Sequence, residues 1–490
     1  MDPAPPAAKP VPLVDRISRE FLVHHQVCPV GLLEDGGLAV AITEHSLLDG
    51  LDDLSITYER PVVPELTTPQ DLDMRIARLV AGEEPGVELE HPAADDERFT
   101  SDVRDLANQP PVVRFVNLLI REAYDAGASD IHFESTRDGL TTRFRIDGVL
   151  QRAVDPPASM DRAVVSRVKL LAELDIAERR RPQDGRIRVR LHERELDLRV
   201  STVPTVFGES VVLRLLERGS GAIGLETLGL SPTLLRSMQQ LACKPHGMIL
   251  VTGPTGSGKT TTLYSALGLR SAASEKIITL EDPVEYTLEG VAQVPVHAET
   301  GVTFASMLRS ILRQDPDVVF VGEMRDDETA ELAIQAALTG HVVFSTLHTN
   351  DAVGAIPRLL DLGVAPYLVS ATLEAVLAQR LVRKVCETCR ESYVADRKTA
   401  DLMGESDPPM LTRGHGCASC RGSGYRGRTG LFELLILTDQ IREAISSHPS
   451  RRRLEELAAA GGLVPLTRDG WNKVKAGITT TEEVLRVTQL

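Results

Sequence analysis

The sequence predicts a multidomain α/β chain whose carboxyl-terminal half is built on a parallel sheet, and three observations carry that prediction. The first is length: 490 residues exceed what one hydrophobic core organises and argue for about three domains. The second is an apolar run, Ile249-Leu250-Val251-Thr252, that passes through a glycine-rich loop straight into a helical segment near Lys259. The third is a set of short, almost uninterrupted apolar runs at 276–280, 317–321 and 341–346, separated by helical periodicity. Strands buried on both faces of a parallel sheet read this way, whereas half-exposed antiparallel strands alternate.

Taken in order, residues 1–13 carry prolines at 3, 5, 6, 10 and 12, which remove backbone donors and favour an extended tail. Residues 14–80 read as a small α/β domain: a helix over 14–24, a strand over 38–42 after the Gly36-Gly37 turn, and a further turn at Asp49-Gly50. No catalytic constellation lies in it. A linker over 81–105 follows, rich in Glu, Asp, Pro and Gly. The second domain, 106–220, opens on a helix from Pro110 with Val112, Val113, Phe115, Val116, Leu118, Leu119 and Ile120 on its apolar side, ending before Gly127. Strands are expected over 130–134 and 141–146, the latter turning at Asp147-Gly148 into a hairpin, then over 186–191, 196–201 and 211–215. The Arg179-Arg180-Arg181 run reads as a solvated face. A glycine-containing connection, 221–235, leads to the third domain, 236–490. There Asp326-Asp327 starts a helix over 328–339 that places Ala330, Ala333, Ile334, Ala337 and Leu338 on one side.

The loop after the first apolar strand, Gly253-Pro254-Thr255-Gly256-Ser257-Gly258-Lys259-Thr260, fits the phosphate-loop pattern G-x-x-x-x-G-K-[ST] without a mismatch. Its glycines let backbone N–H groups turn inward on phosphate oxygens, and the following helix adds the positive end of its dipole. Residues 253–261 are thus the expected nucleotide cradle, with Lys259 on the β and γ phosphates and Thr260 on Mg²⁺. The strand at 317–321 ends in Gly322-Glu323, where a carboxylate would orient or deprotonate the attacking water. Glu281, closing the strand at 276–280, is the expected second acid at the same sheet edge. Cys386-x-x-Cys389 and Cys417-x-x-Cys420 offer four thiolates, a set that suits one tetrahedral, structural Zn²⁺; the interval 390–416 is expected to form a lobe of its own. Cys28 and Cys243 stand alone and read as buried small hydrophobes.

Composition narrows the remaining classes. A net charge of −16 excludes a general nucleic-acid binder, which presents excess Lys and Arg to phosphates. No run of eighteen apolar residues occurs, and the start lacks the charged-then-apolar pattern of a signal peptide. A cytoplasmic protein that reaches membranes only through partners is therefore expected.

Four signatures taken together resemble the ATPases of the type II secretion and type IV pilus superfamily. They are Gly253 to Thr260 as Walker A, Thr279 to Tyr286 as an acidic box, Leu312 to Glu323 as Walker B, and Thr339 to Asn350 as a His box. Ala128-Ser129-Asp130-Ile131-His132 and Pro182-Gln183-Asp184-Gly185-Arg186 extend the resemblance over 105–490. It implies a RecA-like carboxyl-terminal domain including a cysteine lobe at 384–424, a mobile PAS-like second domain, and a homo-hexameric motor. By position, Arg199 and Arg214 match the family's phosphate-contacting arginines in the second domain, and Arg309 and Arg313 the pair in the third. His348, more than His341, matches a sensor of the γ phosphate. The resemblance further implies docking of residues 14–80 on an inner-membrane protein and a role in type II secretion, with type IV pilus extension as the alternative.

Overall fold

The computed structural model describes residues 21–22, 25–33, 37–43, 49–58, 60–68, 72, 76, 88–89, 107–191, 194–217, 223–296, 302–447 and 450–488. The tail, most of the helix expected over 14–24 and nearly all of the acidic linker lie outside them. The chain divides into two units, one of residues 1–89 with 190–193, the other of 90–189 with 194–490.

In the first unit β1 (Val27–Leu32) pairs antiparallel with β2 (Leu38–Ile42), and β3 (Val62–Leu66) joins β2 in parallel. A parallel join needs a crossover, which α1 (Asp49–Tyr58) supplies. Asp49-Gly50 therefore opens a helix where the sequence suggested a turn. Asp49 and Asp52 occupy its first turn, where carboxylates meet the positive dipole end. Gly50 is required by packing, since a Cβ there would lie 2.7 Å from that of His25.

The second unit begins with α2 (Pro110–Asp125), whose prolines sit in the first turn, where a missing N–H costs nothing. It buries Val112, Val116, Leu119, Ile120 and Ala123. Leu118, expected on that face, is exposed because 3.6-residue periodicity turns it to the opposite side. Strands β4 (Ala128–Thr136), β5 (Gly139–Ile146), β6 (Val149–Arg152), β7 (Gln183–Leu191), β8 (Arg194–Thr205) and β9 (Gly208–Glu217) lie in the order β7-β8-β9-β4-β5-β6. Asp147 and Gly148 turn the β5–β6 hairpin with φ of 50° and 83°, the left-handed pair a two-residue turn requires. α3 (Asp161–Leu171) packs beside α2.

The larger sheet of this unit contains β10 (Gly247–Thr252), β11 (Ile277–Glu281), β12 (Ala292–Pro295), β13 (Val318–Val321), β14 (Val342–Leu347) and β15 (Leu373–Val385). After a separate hairpin of β16 (Arg390–Val394) and β17 (Met410–Gly414), β18 (Tyr425–Ile436) completes it. The order is β12-β11-β13-β14-β10-β15-β18, parallel throughout except for β18. Every residue of β10, β11, β13 and β14 is buried. Alternate side chains serve opposite faces: Leu250, Val319 and Val343 join one core, and Ile249, Val251, Phe320 and Phe344 the other. α4 (Pro232–Ala242) and α5 (Lys259–Leu267) precede and follow β10, α6 (Phe304–Ile311) precedes β13, and α7 (Asp327–Leu338) links β13 to β14. Asp326 caps α7 by accepting from Thr329 N at 2.8 Å. Leu338, expected on the buried side of α7, is exposed in its last turn, and Cys243, expected to be buried, is exposed where α4 ends. Cys28 is buried as expected.

Candidate active site

Parallel strands deliver their carboxyl ends to one edge of the sheet, and the phosphate loop hangs there from β10. Gly253, Gly256 and Gly258 adopt φ of 152°, 76° and 85°, a backbone path that side-chain-bearing residues resist. Sterics add a second demand: a Cβ on Gly253 would stand 2.5 Å from Gln379 O, and one on Gly258 2.9 Å from Gln379 Nε2. Thr252, Gly253 and Ser257 are buried while Pro254, Thr255 and Gly256 are exposed. Ser257 Oγ is buried without a protein partner, a donor left for a phosphate oxygen. Lys259 Nζ donates to Gly253 O at 2.8 Å and Pro254 O at 3.1 Å, bonds a phosphate would replace. Burial pulls its pKa down to about 8, Arg380 pushes the same way and Glu323 opposes them. Thr260 and Thr261 follow at the start of α5, both partly accessible.

Glu323 stands just past β13, and its neighbours explain its placement. Gly322 N donates to Leu280 O at 2.8 Å, and Gly322 O accepts from Thr346 Oγ1 at 2.7 Å, so β11, β13 and β14 are tied together at the site. The Glu323 carboxylate pairs with Arg325 and lies 3.5 Å from His348 Nε2. Burial and then the Lys259 charge hold the His348 pKa below its ordinary value, which favours the uncharged imidazole, while Glu323 opposes them. Thr349 N donates to Thr252 Oγ1 at 2.8 Å, which fixes the His box against the phosphate loop's own strand. His341 Nδ1 lies 2.9 Å from Ala336 O in the last turn of α7.

Glu281, at the end of β11, is held by three protein groups. Its side chain is buried and its oxygens accept from Tyr264 Oη, from Thr279 Oγ1 at 2.5 Å and from Gln293 Nε2 at 3.1 Å. Burial and this carboxylate push the Tyr264 pKa up. The network ties α5, the helix that carries Lys259, to β11 and β12.

The arginines divide likewise. Arg199 Nη2 donates to Val284 O at 3.2 Å, bringing the second domain onto the acidic box. Arg214 Nε donates to Asp130 Oδ1 at 3.1 Å. Arg309 pairs with Glu328, and Arg313 donates to Arg309 O at 2.9 Å and Ser310 Oγ at 3.2 Å. These last two lie on the exposed end of α6 and its following turn, Arg309 reaching the first turn of α7 and Arg313 bonding back to α6.

Away from the loop, Cys386, Cys389, Cys417 and Cys420 bring their sulfurs within 4.8 Å of one another. Separations are 3.9 Å for Cys386–Cys417, 3.8 Å for Cys389–Cys420 and 3.7 Å for Cys417–Cys420. Thiolates about 2.3 Å from one tetrahedral ion stand about 3.8 Å apart, so the set fits a metal and is far too open for disulfides. Cys420 Sγ also accepts from Cys417 N at 3.2 Å and Gly424 N at 3.3 Å. The interval 390–416 folds as β16, a helix over Arg397–Met403 and β17, with Met403 and Leu411 anchored in the main core.

Residues 105–486 match the family description Type II/IV secretion system protein, and residues 4–86 match the MshEN domain. The type II secretion system protein E of Pseudomonas aeruginosa is 50% identical over 81% of this chain and 79% of its own. That of Xanthomonas campestris pv. campestris is 44% identical over 98% of this chain and 86% of its own. This chain belongs to the type II/IV secretion system protein family. It is a secretion ATPase, as is the Vibrio cholerae relative named type II secretion system ATPase E, 48% identical over 79% of this chain and 77% of its own. Among solved structures, the pilus retraction motor PilT with ADP aligns at TM-score 0.54 and 28% identity, covering 75% of this chain and 95% of that one.

Three residues of this secretion ATPase escaped the sequence reading. Arg325, two positions past Glu323, was available to any search for its counter-ion. Arg380 and Gln379 were not, because no local pattern marks them; only the order of strands places β15 beside β10. Arg380 is buried, donates from Nη2 to Asn350 O at 2.9 Å, and leaves Nε without a partner.

Proposed function

We propose that this secretion ATPase works as a homo-hexameric ring on the cytoplasmic face of the inner membrane, where hydrolysis of Mg-ATP drives assembly of pilin-like subunits and so protein export. The observation that carries the reading is the phosphate loop and Glu323 set at one carboxyl edge of a parallel sheet, with Glu323 3.5 Å from His348 and the adjoining Thr349 bonded to Thr252 at 2.8 Å. Residues 253–261 hold the triphosphate. Mg²⁺ at Thr260 would neutralise charge on the β and γ oxygens. Glu323 leaves Arg325 to orient water, His348 reports the γ phosphate to Thr349 and β10, and Glu281 keeps α5 in register. Arg199, Arg214, Arg309 and Arg313 supply charge from the ring to the departing phosphoryl group, the work a planar permanent cation does best. The four cysteines hold one structural Zn²⁺.

Residues 14–80 dock on the cytoplasmic part of an inner-membrane protein. Supporting this, no helix among the described residues is long and apolar enough to cross a membrane, and a net charge of −16 disfavours anionic lipid. Deletion of residues 1–98 should release the protein from membranes and leave basal ATP hydrolysis intact, measured by cell fractionation and phosphate release. A truncated chain that pellets with membranes as the full chain does would refute the docking assignment.

Arg199→Ala and Arg214→Ala should each lower kcat by about a hundred-fold while changing Mg-ATP affinity by less than about threefold, since charge on the phosphoryl group grows as it departs. Equal losses of binding and turnover would reassign both arginines to ground-state binding.

A further inference from the structure

Four charged residues stand directly opposite one another across the second-domain sheet. Arg145 on β5 faces Asp130 on β4, Asp130 faces Arg214 on β9, and Arg214 faces Arg199 on β8. Opposed residues project from the same face, and like charges so placed destabilise a sheet. Arg214 and Arg199 are such a pair, and Arg199 leaves its buried Nε without a partner. An anion between two such cations would relieve their repulsion, which makes the pair a candidate seat for one.

Asp130 decides how Arg214 enters that seat. Its side chain is 7% exposed, and it accepts from Arg214 Nε at 3.1 Å and Ser129 Oγ at 2.7 Å, with Arg145 Nε at 3.7 Å. Because the bond to Asp130 uses Nε, both terminal nitrogens of Arg214 remain available, and its side chain is 60% exposed. Arg145 is spent differently, since its Nη1 donates to Gly148 O at 3.1 Å in the hairpin turn. At the far end of the row Arg199 already touches Val284 O of the acidic box.

We infer that Asp130 is a positioning residue of the ATPase reaction, holding Arg214 through Nε so that its terminal nitrogens stand beside Arg199 as a two-arginine grip for the phosphoryl group. This rests on the phosphate-facing role of Arg214 given above. Without Asp130, a guanidinium on a long flexible stem turns away from its like-charged neighbour, and the planar alignment that phosphate recognition needs is lost.

Full-length Asp130→Asn, Arg214→Ala and the double variant are compared by steady-state Mg-ATP turnover and thermal melting. Asp130→Asn should lower kcat about tenfold with KM changed less than about twofold, melt as the wild type does, and cause no further loss once Arg214 is alanine. Losses that multiply in the double variant would show that Asp130 acts independently of Arg214 and overturn the proposal. Wild-type kcat in Asp130→Asn, or a variant that no longer melts cooperatively, would overturn it too. Arg214→Ala turning over at the wild-type rate would instead remove the role of Arg214 itself.

Discussion

Glu323→Gln is expected to bind Mg-ATP as tightly as the wild type, within about threefold, while turning over at least about a thousand-fold more slowly. The two readouts separate because the triphosphate is held by the loop from Gly253 to Thr261, whereas Glu323 stands past β13 with its carboxylate toward Arg325 and His348. Glutamine keeps the shape and one acceptor oxygen but gives up the charge that orients water and takes its proton. Lys259→Ala should fail earlier. Its ammonium is the cation inside the loop, and alanine removes the contact to the β and γ oxygens that would replace its bonds to Gly253 O and Pro254 O. Binding and turnover should fall together, by about a hundred-fold or more in affinity. Fluorescent-nucleotide titration and phosphate release measure the two quantities. Near-normal turnover in either variant would dismiss the site as drawn.

Replacing Cys386 or Cys417 with Ser should cost one Zn²⁺ per chain and much of the soluble yield. Structural zinc in a four-ligand site supplies roughly 10 kcal/mol of apparent binding energy, comparable with the 5–15 kcal/mol that stabilises a whole domain. A lobe with a small apolar anchorage cannot absorb that loss. The damage should spread beyond the lobe, because Arg421 pairs with Glu122 at 2.8 Å and Gly427 N donates to Asp147 at 2.7 Å. Those contacts hold the second domain that carries Arg199 and Arg214. Metal content by elemental analysis, together with the melting profile, checks the expectation; protein purified in reducing buffer without zinc would refute it.

The phosphate loop, the strands around it and the cysteine set were legible because each is local: glycine spacing, continuous apolar runs and C-x-x-C pairs survive in a linear string. Asp49-Gly50 misled for the same reason, as a turn-forming dipeptide that packing against His25 turns into a helix start. Glu281 shows a second limit. Its position at a strand end was correct, yet Tyr264 and Gln293, which determine where its oxygens point, come from α5 and from β12. Asp130 and Arg380 mark a third. The partners of Asp130 lie on neighbouring strands and that of Arg380 in the loop after β14, and only the assembled sheet sets Asp130 opposite Arg214 or Arg380 behind Gly253.

Gln379 and Arg380 also fix what counts as the smallest working engine. All four nucleotide signatures end by Asn350, so a fragment cut soon afterwards would hold every recognisable motif. It would lack β15, the wall on which Gly253 and Gly258 lean. β15 in turn is flanked by β18, which emerges directly from the cysteine cluster. The phosphate loop is thus one strand removed from the four-cysteine lobe. Selection acting on either cannot treat the other as a detachable module, and the cysteine lobe is better regarded as part of the motor's chassis than as an accessory bolted to it.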